Sequence, residues 1–206
     1  EGLRNIFRLH EYAHVHGFER RPSITLEVLK KHSKGIVCTS ACVANIIQRS
    51  LVDGNDDRAV KWAKIFKEIF GDDFYLELQA RKEHEQMIAN MKLVKLAKQL
   101  AIKFIATSDV HYTLKEDFEV HDTLLCMQVN AKKKQEKRFR FDGNHYWLKH
   151  EDEMELTELA PQDRLTALYT TQEIVDKCNA TLLKGDYKPK FYNVPDGKTE
   201  EQLLRE

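Results

Sequence analysis

The spacing of apolar residues in the first part of the chain predicts several amphipathic helices. Apolar side chains recur every three or four positions over 2–16 and again over 57–70, which is the period of a helix with one buried face. Gly71 follows the second stretch, at the position where glycine commonly ends a helix. Thr25 is a typical N-cap residue and predicts a short helix that continues to Lys31.

Three shorter apolar stretches predict β-strands between these helices. The β-rich run over 36–39 leads to Ser40, a candidate helix cap, and residues 74–79 alternate between apolar and polar side chains. A long amphipathic helix over 87–100 then precedes an apolar strand over 103–107. Strands that alternate with helices favour parallel pairing through right-handed crossovers. We therefore predict an α/β fold, either a layered sheet or a barrel.

The second half of the chain has a different pattern and is predicted to be mainly helical. The predicted helices cover 116–129, 151–159, 162–180 and 199–205. A short aromatic run over 146–148 interrupts them. From residue 184 onward, prolines and glycines break the periodicity and indicate an extended segment before the last helix.

Composition and charge exclude several classes of protein. The chain has 206 residues, 42% of them hydrophobic, and its 33 basic side chains balance 33 acidic ones, which argues against disorder and against a general attraction to polyanions. No apolar run reaches the roughly 18 residues of a membrane span, and no secretion signal is present. Four cysteines without an export signal indicate reduced thiols or a ligand. We expect a cytoplasmic protein without a membrane partner.

Three side chains at predicted strand ends are candidates for chemistry. Asp109 and His111 follow the strand over 103–107, and on an extended segment they would point the same way, so that they could share one metal ion. A capping aspartate beside a surface histidine is the structural alternative. Cys42 follows the predicted strand over 36–39 and could face the same edge, although a lone cysteine is more often a small buried side chain.

A strongly basic segment lies in the second half of the chain. Six of the nine residues over 132–140 are lysine or arginine, and Glu136 is the one acid among them. Such a segment could contact phosphate groups, with a contribution that falls steeply as salt rises. Charge runs are more commonly solvated surface, and that alternative stays open.

Several strings, taken in order, resemble one known family. They are GIVCTSACVANII, FGDDFYLELQ, FIATSDVHY, EVHDTLLCMQV and RFRFDGNHYWLKHEDEM. Their order and spacing are similar to the PHP (polymerase and histidinol phosphatase) domain of C-family replicative DNA polymerases, the family of the bacterial DNA polymerase III α subunits. The later string EIVDKCNATLLKGDYKPKFYNVP resembles the segment that joins this domain to the polymerase palm.

The resemblance implies a fold and a division into domains. It implies a distorted (βα)7 barrel of which this chain lacks the first strands, followed by a mainly helical segment that leads to the palm. Residues 1–179 are expected to form the C-terminal part of the PHP domain, and 180–206 the linker and the start of the palm. The family's earliest histidine motifs are expected before Glu1, since EGLRNIFRL is similar to the stretch that follows them. The absence of an initiator methionine is expected for a fragment or for a processed chain.

The resemblance also implies a metal site with one departure from the family pattern. Cys42, Asp109 and His111 match family ligands of a divalent metal, Mn or Zn. A further ligand histidine is expected two residues beyond LELQ, where this chain has Arg81. A guanidinium has no lone pair for a metal and carries its own positive charge. We therefore predict that the isolated chain binds metal weakly and has no catalytic residue of its own.

The function implied is that of a parent enzyme, a DNA-directed DNA polymerase. It would copy DNA from deoxynucleotide triphosphates with Mg in the palm, outside this segment. The PHP segment would then be a vestigial metal-dependent 3′-5′ exonuclease or phosphoesterase, or a docking platform for a separate proofreading exonuclease. Two alternatives come from other classes: a stand-alone PHP phosphatase and a non-enzymatic interaction module.

Overall fold

A computed structural model describes residues 1–141, 143–181, 185, 194–195 and 197–205. The helices are α1 (Gly2–Val15), α2 (Leu26–Lys31), α3 (Ile46–Val52), α4 (Asp56–Phe70), α5 (His84–Leu100), α6 (Phe118–Gln128), α7 (Pro161–Lys177) and α8 (Glu200–Leu204). The strands are β1 (Cys38–Thr39), β2 (Phe74–Gln79) and β3 (Lys103–Thr107). Single turns of 3-10 helix cover Gly71–Asp73, Lys115–Asp117 and Glu151–Glu153.

The three strands form one parallel sheet in the order β1-β2-β3. Thr39 pairs with Tyr75, and Leu76 pairs with Phe104. The helices α3 and α4 connect β1 to β2, and α5 connects β2 to β3. The α/β class and the parallel pairing predicted from the alternation of helices and strands are confirmed.

One face of the sheet builds the hydrophobic core. Phe74, Leu76 and Leu78 of β2 point to this face, and none of them is more than 2% exposed. Helices α3, α4 and α5 cover it with their buried apolar residues, which are Ile47, Leu51, Ala59, Ala63, Leu93, Val94, Leu96 and Ala97. Burial of this apolar surface is the main stabilising contribution to the fold.

The other face of the sheet is polar and is joined by hydrogen bonds between strands. The Glu77 carboxylate lies near its centre and accepts hydrogen bonds from the Thr39 hydroxyl at 2.5 Å and the Thr107 hydroxyl at 2.6 Å. One carboxylate therefore links side chains of all three strands. Because these donors come from neighbouring strands, they tie the three strands together on this face.

Helix α7 covers the outer edge of β3. The Thr171 hydroxyl accepts a hydrogen bond from the Ala106 amide at 3.1 Å, and its oxygen lies 3.1 Å from the Ala106 carbonyl oxygen, to which it can donate. An uncovered strand edge would leave these backbone groups open to pairing with another chain. Near the start of the strand, the Lys103 ammonium binds the Glu173 carboxylate at 2.6 Å. Both contacts hold the helix along the strand edge.

The predicted helix over 151–159 is wrong. Only Glu151–Glu153 is helical, as one 3-10 turn. The Glu153 carboxylate accepts hydrogen bonds from the His150 amide at 2.9 Å and the Trp147 indole N–H at 3.2 Å, and thereby fixes a turn. Leu156 and Leu159 reach the core from an irregular segment, which reproduces the apolar spacing of a helix without forming one.

The first strand and the first cap also differ from their predictions. Of the predicted strand over 36–39, only Cys38–Thr39 pairs with β2. Ser40 does not cap a helix, because its hydroxyl accepts a hydrogen bond from the Glu77 amide at 2.8 Å. Asn45 caps α3 instead, and its side-chain oxygen accepts from the Ile47 amide at 2.9 Å.

The last predicted domain, the linker over 180–206, lies largely outside the described residues. Helix α7 ends at Lys177, and α8 begins after Thr199, which caps it through the Gln202 amide at 3.2 Å. None of the helices in the described ranges is both long and apolar enough to cross a lipid bilayer.

Candidate functional site

Asp109 and His111 meet just after the carboxyl end of β3, but not on an extended segment as predicted. Asp109 has a positive φ of 47°, a left-handed conformation in which aspartate is among the better tolerated side chains. The His111 Nδ1 lies 2.8 Å from the Asp109 backbone oxygen and 3.9 Å from the nearer carboxylate oxygen. Since a carbonyl oxygen only accepts, Nδ1 is the donor in this contact.

Cys42 lies in the turn between β1 and α3 and is partly buried. Its backbone oxygen accepts a hydrogen bond from the Asn45 amide at 2.8 Å, which helps to start that helix. Among the described residues, no three side chains of His, Cys, Asp or Glu lie close enough together to hold a metal ion. The structure thus brings Asp109 and His111 together and does not gather Cys42 with them into a ligand cluster.

Arg81 occupies the centre of this edge of the sheet. Its side chain is 6% exposed, and Nη1 lies 3.4 Å from a carboxylate oxygen of Asp109. Nη2 donates a hydrogen bond to the Gln86 side-chain oxygen at 2.8 Å, and Nε lies 3.8 Å from the Glu83 carboxylate. The guanidinium also lies over the Tyr146 ring, 4.9 Å from its centre. The Arg81 charge is therefore matched by two carboxylates and an aromatic face.

A buried chain of amides holds Arg81 in place. The Gln86 amide group donates to Gln48 at 3.2 Å and to Asn90 at 2.9 Å. Asn90 in turn donates to the Gln79 backbone oxygen at 2.9 Å and accepts from the Gln79 amide at 3.3 Å. Gln48, Gln86 and Asn90 are fully buried, so each bond forms in a low-dielectric interior. Arg81 is fixed to α5 and β2 through side chains that have few alternative partners.

These contacts do not fit a divalent metal at this edge. A metal ion would have to sit beside the Arg81 guanidinium, which repels it and already binds Asp109. Within the described part of the chain, Arg81 Nε and both Glu83 carboxylate oxygens are buried without a hydrogen-bond partner. The site is thus organised around a guanidinium, with Asp109 and Glu83 as its counter-charges.

Aromatic rings close one side of the site. His111 lies edge-on to Tyr146, with ring centres 5.3 Å apart, and to Phe141 at 4.7 Å. Phe141 stacks on His121 at 5.2 Å with 15° between the ring planes. Burial, followed by the nearby charge of His111, lowers the pKa of His121, and burial raises the pKa of Tyr146. Both shifts favour neutral side chains at physiological pH.

An open cavity of about 800 Å³ lies beside this site, between the polar face of the sheet and α7. Glu77, Thr107 and Asp109 line it from the sheet, and Leu165 and Tyr169 line it from the helix. Leu165 and Tyr169 are exposed, at 47% and 75% of their surface. The cavity has a polar floor and an apolar wall.

Sequence reasoning missed Glu83, Gln86 and Tyr146 as members of the site. Glu83 follows Arg81 after one residue, and this spacing of opposite charges was an available signal. The aromatic run over 146–148 was recognised as a short element, but its contact with Arg81 depends on a backbone pairing between Tyr112 and Trp147 that the sequence pattern does not reveal.

Comparison with known proteins identifies relatives of the chain. Residues 1–81 match the PHP domain family. The chain is 36% identical over 179 residues to the DNA polymerase III subunit alpha of Borreliella burgdorferi, covering 86% of this chain. It is 35% identical to the same subunit of Aquifex aeolicus and 31% identical to that of Deinococcus radiodurans, each over the whole of this chain. The resemblance stated from the motifs is confirmed.

The relatives are much longer than this chain. The matched regions cover 15% of the Borreliella protein, 16% of the Deinococcus protein and 18% of the Aquifex protein. The chain therefore spans about a sixth of the length of the curated relatives it matches. The similarity extends beyond the PHP match into the second half, which includes the segment around Tyr146.

Proposed function

Since this chain contains a PHP domain and is homologous to DNA polymerase III α subunits along most of its length, we propose that it serves as the PHP region of a replicative DNA polymerase. The main support for the proposal is the length of chain that is similar to these subunits. It covers the sheet, the Arg81 site and α7, whereas the PHP family match alone ends at residue 81. We would not expect a stand-alone PHP phosphatase to be similar to these polymerase subunits over the second half of this chain.

The proposal includes the division into domains and the barrel. Residues 1–179 are the later part of a distorted (βα)7 PHP barrel, and 180–206 lead to the palm. The parallel strands, the helical crossovers and the polar sheet face beside an open cavity support a barrel interior on that face. Leu165 and Tyr169 of α7 line the cavity and are exposed, which supports the proposal that further parts of the barrel cover the cavity in the complete protein.

We propose that the metal site is vestigial. Cys42, Asp109 and His111 are the remaining family ligands of a Mn or Zn site, and Arg81 takes over the charge balance of Asp109. The polar contacts at the carboxyl end of β3 then serve structure rather than hydrolysis. DNA, deoxynucleotide triphosphates and Mg belong to the polymerase activity, which is placed outside these residues.

A docking role for the PHP region is compatible with this loss. The edge of the sheet around Arg81 does not have to admit a phosphoester substrate if the metal site is lost, so a protein can bind there. We propose that this protein is a separate proofreading exonuclease. The contact of Arg81 with Asp109 supports this role, because the guanidinium lies where it disfavours a metal ion beside Asp109.

The first test measures metal-dependent hydrolysis by the 206-residue protein. The protein is incubated with Mn²⁺ or Zn²⁺ and with either p-nitrophenyl phosphate or a 3′-labelled DNA strand. We expect no hydrolysis above that of the Asp109→Asn variant, which removes a proposed ligand charge. Metal-dependent turnover that Asp109→Asn abolishes would contradict the vestigial site. Turnover of p-nitrophenyl phosphate alone would favour the phosphatase alternative, and turnover of the DNA strand would favour an active 3′-5′ exonuclease.

The second arm tests the polymerase assignment. The complete gene product that contains this chain is assayed for primer extension on a DNA template with Mg²⁺. We expect extension by the unchanged protein and by a His111→Ala variant, since His111 is placed outside the polymerase reaction. Absence of extension in the unchanged protein would exclude the polymerase assignment, whatever the result of the hydrolysis assay.

A further inference from the structure

The six basic residues of the segment 132–140, here called the basic loop, fall into two groups. Three of them are engaged within the protein. Arg138 makes a bidentate salt bridge with Asp122, with distances of 2.7 and 2.6 Å, and is 3% exposed. The Arg140 guanidinium donates to the backbone oxygens of Gln135 at 3.2 Å and Glu136 at 3.4 Å. Lys133 pairs with Glu119 of α6, so these three cations shape and anchor the loop.

The other three basic residues are available to a ligand. Lys132, Lys134 and Lys137 are exposed, and within the described residues their ammonium groups make no hydrogen bond or ion pair. The nearby acids Glu119 and Asp122 are already paired, with Lys133 and Arg138. The basic loop therefore presents a local excess of positive charge on a protein with no net charge.

An exposed aromatic ring lies within the same loop. Phe139 is 57% exposed and packs edge-on against Phe141, with ring centres 5.7 Å apart and planes at 65°. Phe141 is itself stacked on His121 of α6. One side of the Phe139 ring thus packs on Phe141, and the other side is open to solvent. Phenylalanine side chains are more commonly buried.

We propose that the basic loop binds single-stranded nucleic acid, with Lys132, Lys134 and Lys137 contacting phosphates and Phe139 stacking on a base. Free ammonium groups beside a supported aromatic ring are the combination that such binding requires, since phosphate contacts supply attraction and stacking tolerates any base. Bases of a duplex are stacked on each other and cannot cover the ring. This binding is distinct from the polymerase reaction, and the loop adjoins the Arg81 site through Phe141, which contacts both Phe139 and His111.

The test uses fluorescence anisotropy with the 206-residue protein and a labelled 12-nucleotide oligothymidylate. We expect the variant K132Q/K134Q/K137Q to bind about 100-fold more weakly at about 0.1 M salt, because three phosphate contacts are lost. The slope of log affinity against log salt should become shallower by about 2. Because these ammonium groups make no hydrogen bond or ion pair with the part of the chain that the structure describes, circular dichroism should not change.

A matched control distinguishes binding by the basic loop from a general effect of the protein's net charge. Lys61, Lys64 and Lys95 are also exposed and unpaired within the described residues, and K61Q/K64Q/K95Q removes the same charge from α4 and α5. We expect a change of less than about 3-fold in this control. If both triple variants lose affinity equally, the attraction is general and the proposal is wrong. Binding by K132Q/K134Q/K137Q that equals that of the unchanged protein would also overturn it.

Phe139 tests whether the ligand is single-stranded. Phe139→Leu keeps the apolar contact with Phe141 but loses the stacking surface, and we expect about 5- to 30-fold weaker binding. Phe7→Leu, an exposed phenylalanine on α1, should have no effect. A 12-base-pair duplex should bind more weakly than the single strand. An unaffected Phe139→Leu together with equal duplex binding would reduce the loop to a nonspecific polyanion contact and refute the proposal.

Discussion

The two faces of β2 are built on different physical principles. Leu76 faces helices α3 to α5 and is fully buried among apolar side chains, whereas the next residue, Glu77, faces the cavity and is held by hydroxyls of β1 and β3. Apolar burial has no direction, so another apolar side chain of similar volume could fill the Leu76 position. The Glu77 contacts require particular partners at distances of 2.5 and 2.6 Å. The apolar face determines the fold, and the polar face carries the candidate chemistry.

The strongest test of this comparison is made on the apolar face. Leu76→Ala removes a fully buried side chain and leaves a cavity that the surrounding helices can close only in part. We expect the free energy of unfolding in urea to fall by about 3 kcal/mol, within the usual range for such changes. Leu148→Ala is the matched control because Leu148 is 58% exposed, and it should cost less than about 1 kcal/mol. Equal losses in both variants would contradict the location of the core.

The polar side is tested by the pair of Arg81 and Asp109. Arg81→Met leaves the carboxylates of Asp109 and Glu83 without their nearest cation, and we expect a loss of about 2 kcal/mol. Asp109→Asn should cost about 1 kcal/mol, since Asp109 is more exposed than Arg81. The double variant should be less destabilised than the sum, with a coupling energy of about 1 kcal/mol.

The double-mutant cycle decides whether the guanidinium replaces a metal in balancing Asp109. A matched cycle on Lys30 and Glu68, an exposed surface pair, should give a coupling too small to measure. If the coupling of Arg81 with Asp109 is no larger than this, the contact is incidental. In that case the site has no built-in cation, and a metal would again be a candidate for this role.

The fold was more accessible to sequence reasoning than the site. The bounds of β2, β3 and α2 were predicted correctly, β2 from its alternation of apolar and polar residues, β3 from its short apolar run and α2 from its Thr25 cap. The failure at 151–159 has the same origin: Leu156 and Leu159 are buried from an irregular segment, and spacing alone cannot distinguish this from a helix. Ser40 was misread since its partner is the Glu77 backbone, 37 residues away.

The site was predicted only in part. The proximity of Asp109 and His111 was expected from their spacing, although the left-handed backbone at Asp109 produces it in another way. The departure at Arg81 was visible as a residue type, but its burial against Tyr146 and Gln86 was not. Those contacts join residues from β2, α5 and the 145–149 segment, so they depend on tertiary packing that no local pattern encodes.

The smallest expected effect concerns the opposite end of the sheet, where α7 meets the start of β2 and β3. The Lys103 ammonium, the Tyr75 hydroxyl and Lys177 donate to Glu173 and lower its pKa from 4.5 to about 2. Because the folded-state pKa lies below the unfolded one, this stabilisation is complete above about pH 5 and is lost as the pH falls toward 2. Since a third of the Glu173 side chain is exposed, solvent screening reduces the contribution to about 1 kcal/mol.

The difference in unfolding free energy between the unchanged protein and Glu173→Gln should therefore be about 1 kcal/mol at pH 7 and shrink between pH 5 and pH 3. Urea denaturation at several pH values measures it. Glu68→Gln is the control, because Glu68 also has a lowered pKa from its hydrogen bond with Lys30 but is exposed, and it should show almost no difference at any pH. A pH-independent difference for Glu173→Gln would mean that α7 is held by packing and by Thr171 rather than by charge. Among the polar contacts tested, those around Arg81 would then be the ones whose charges stabilise the fold.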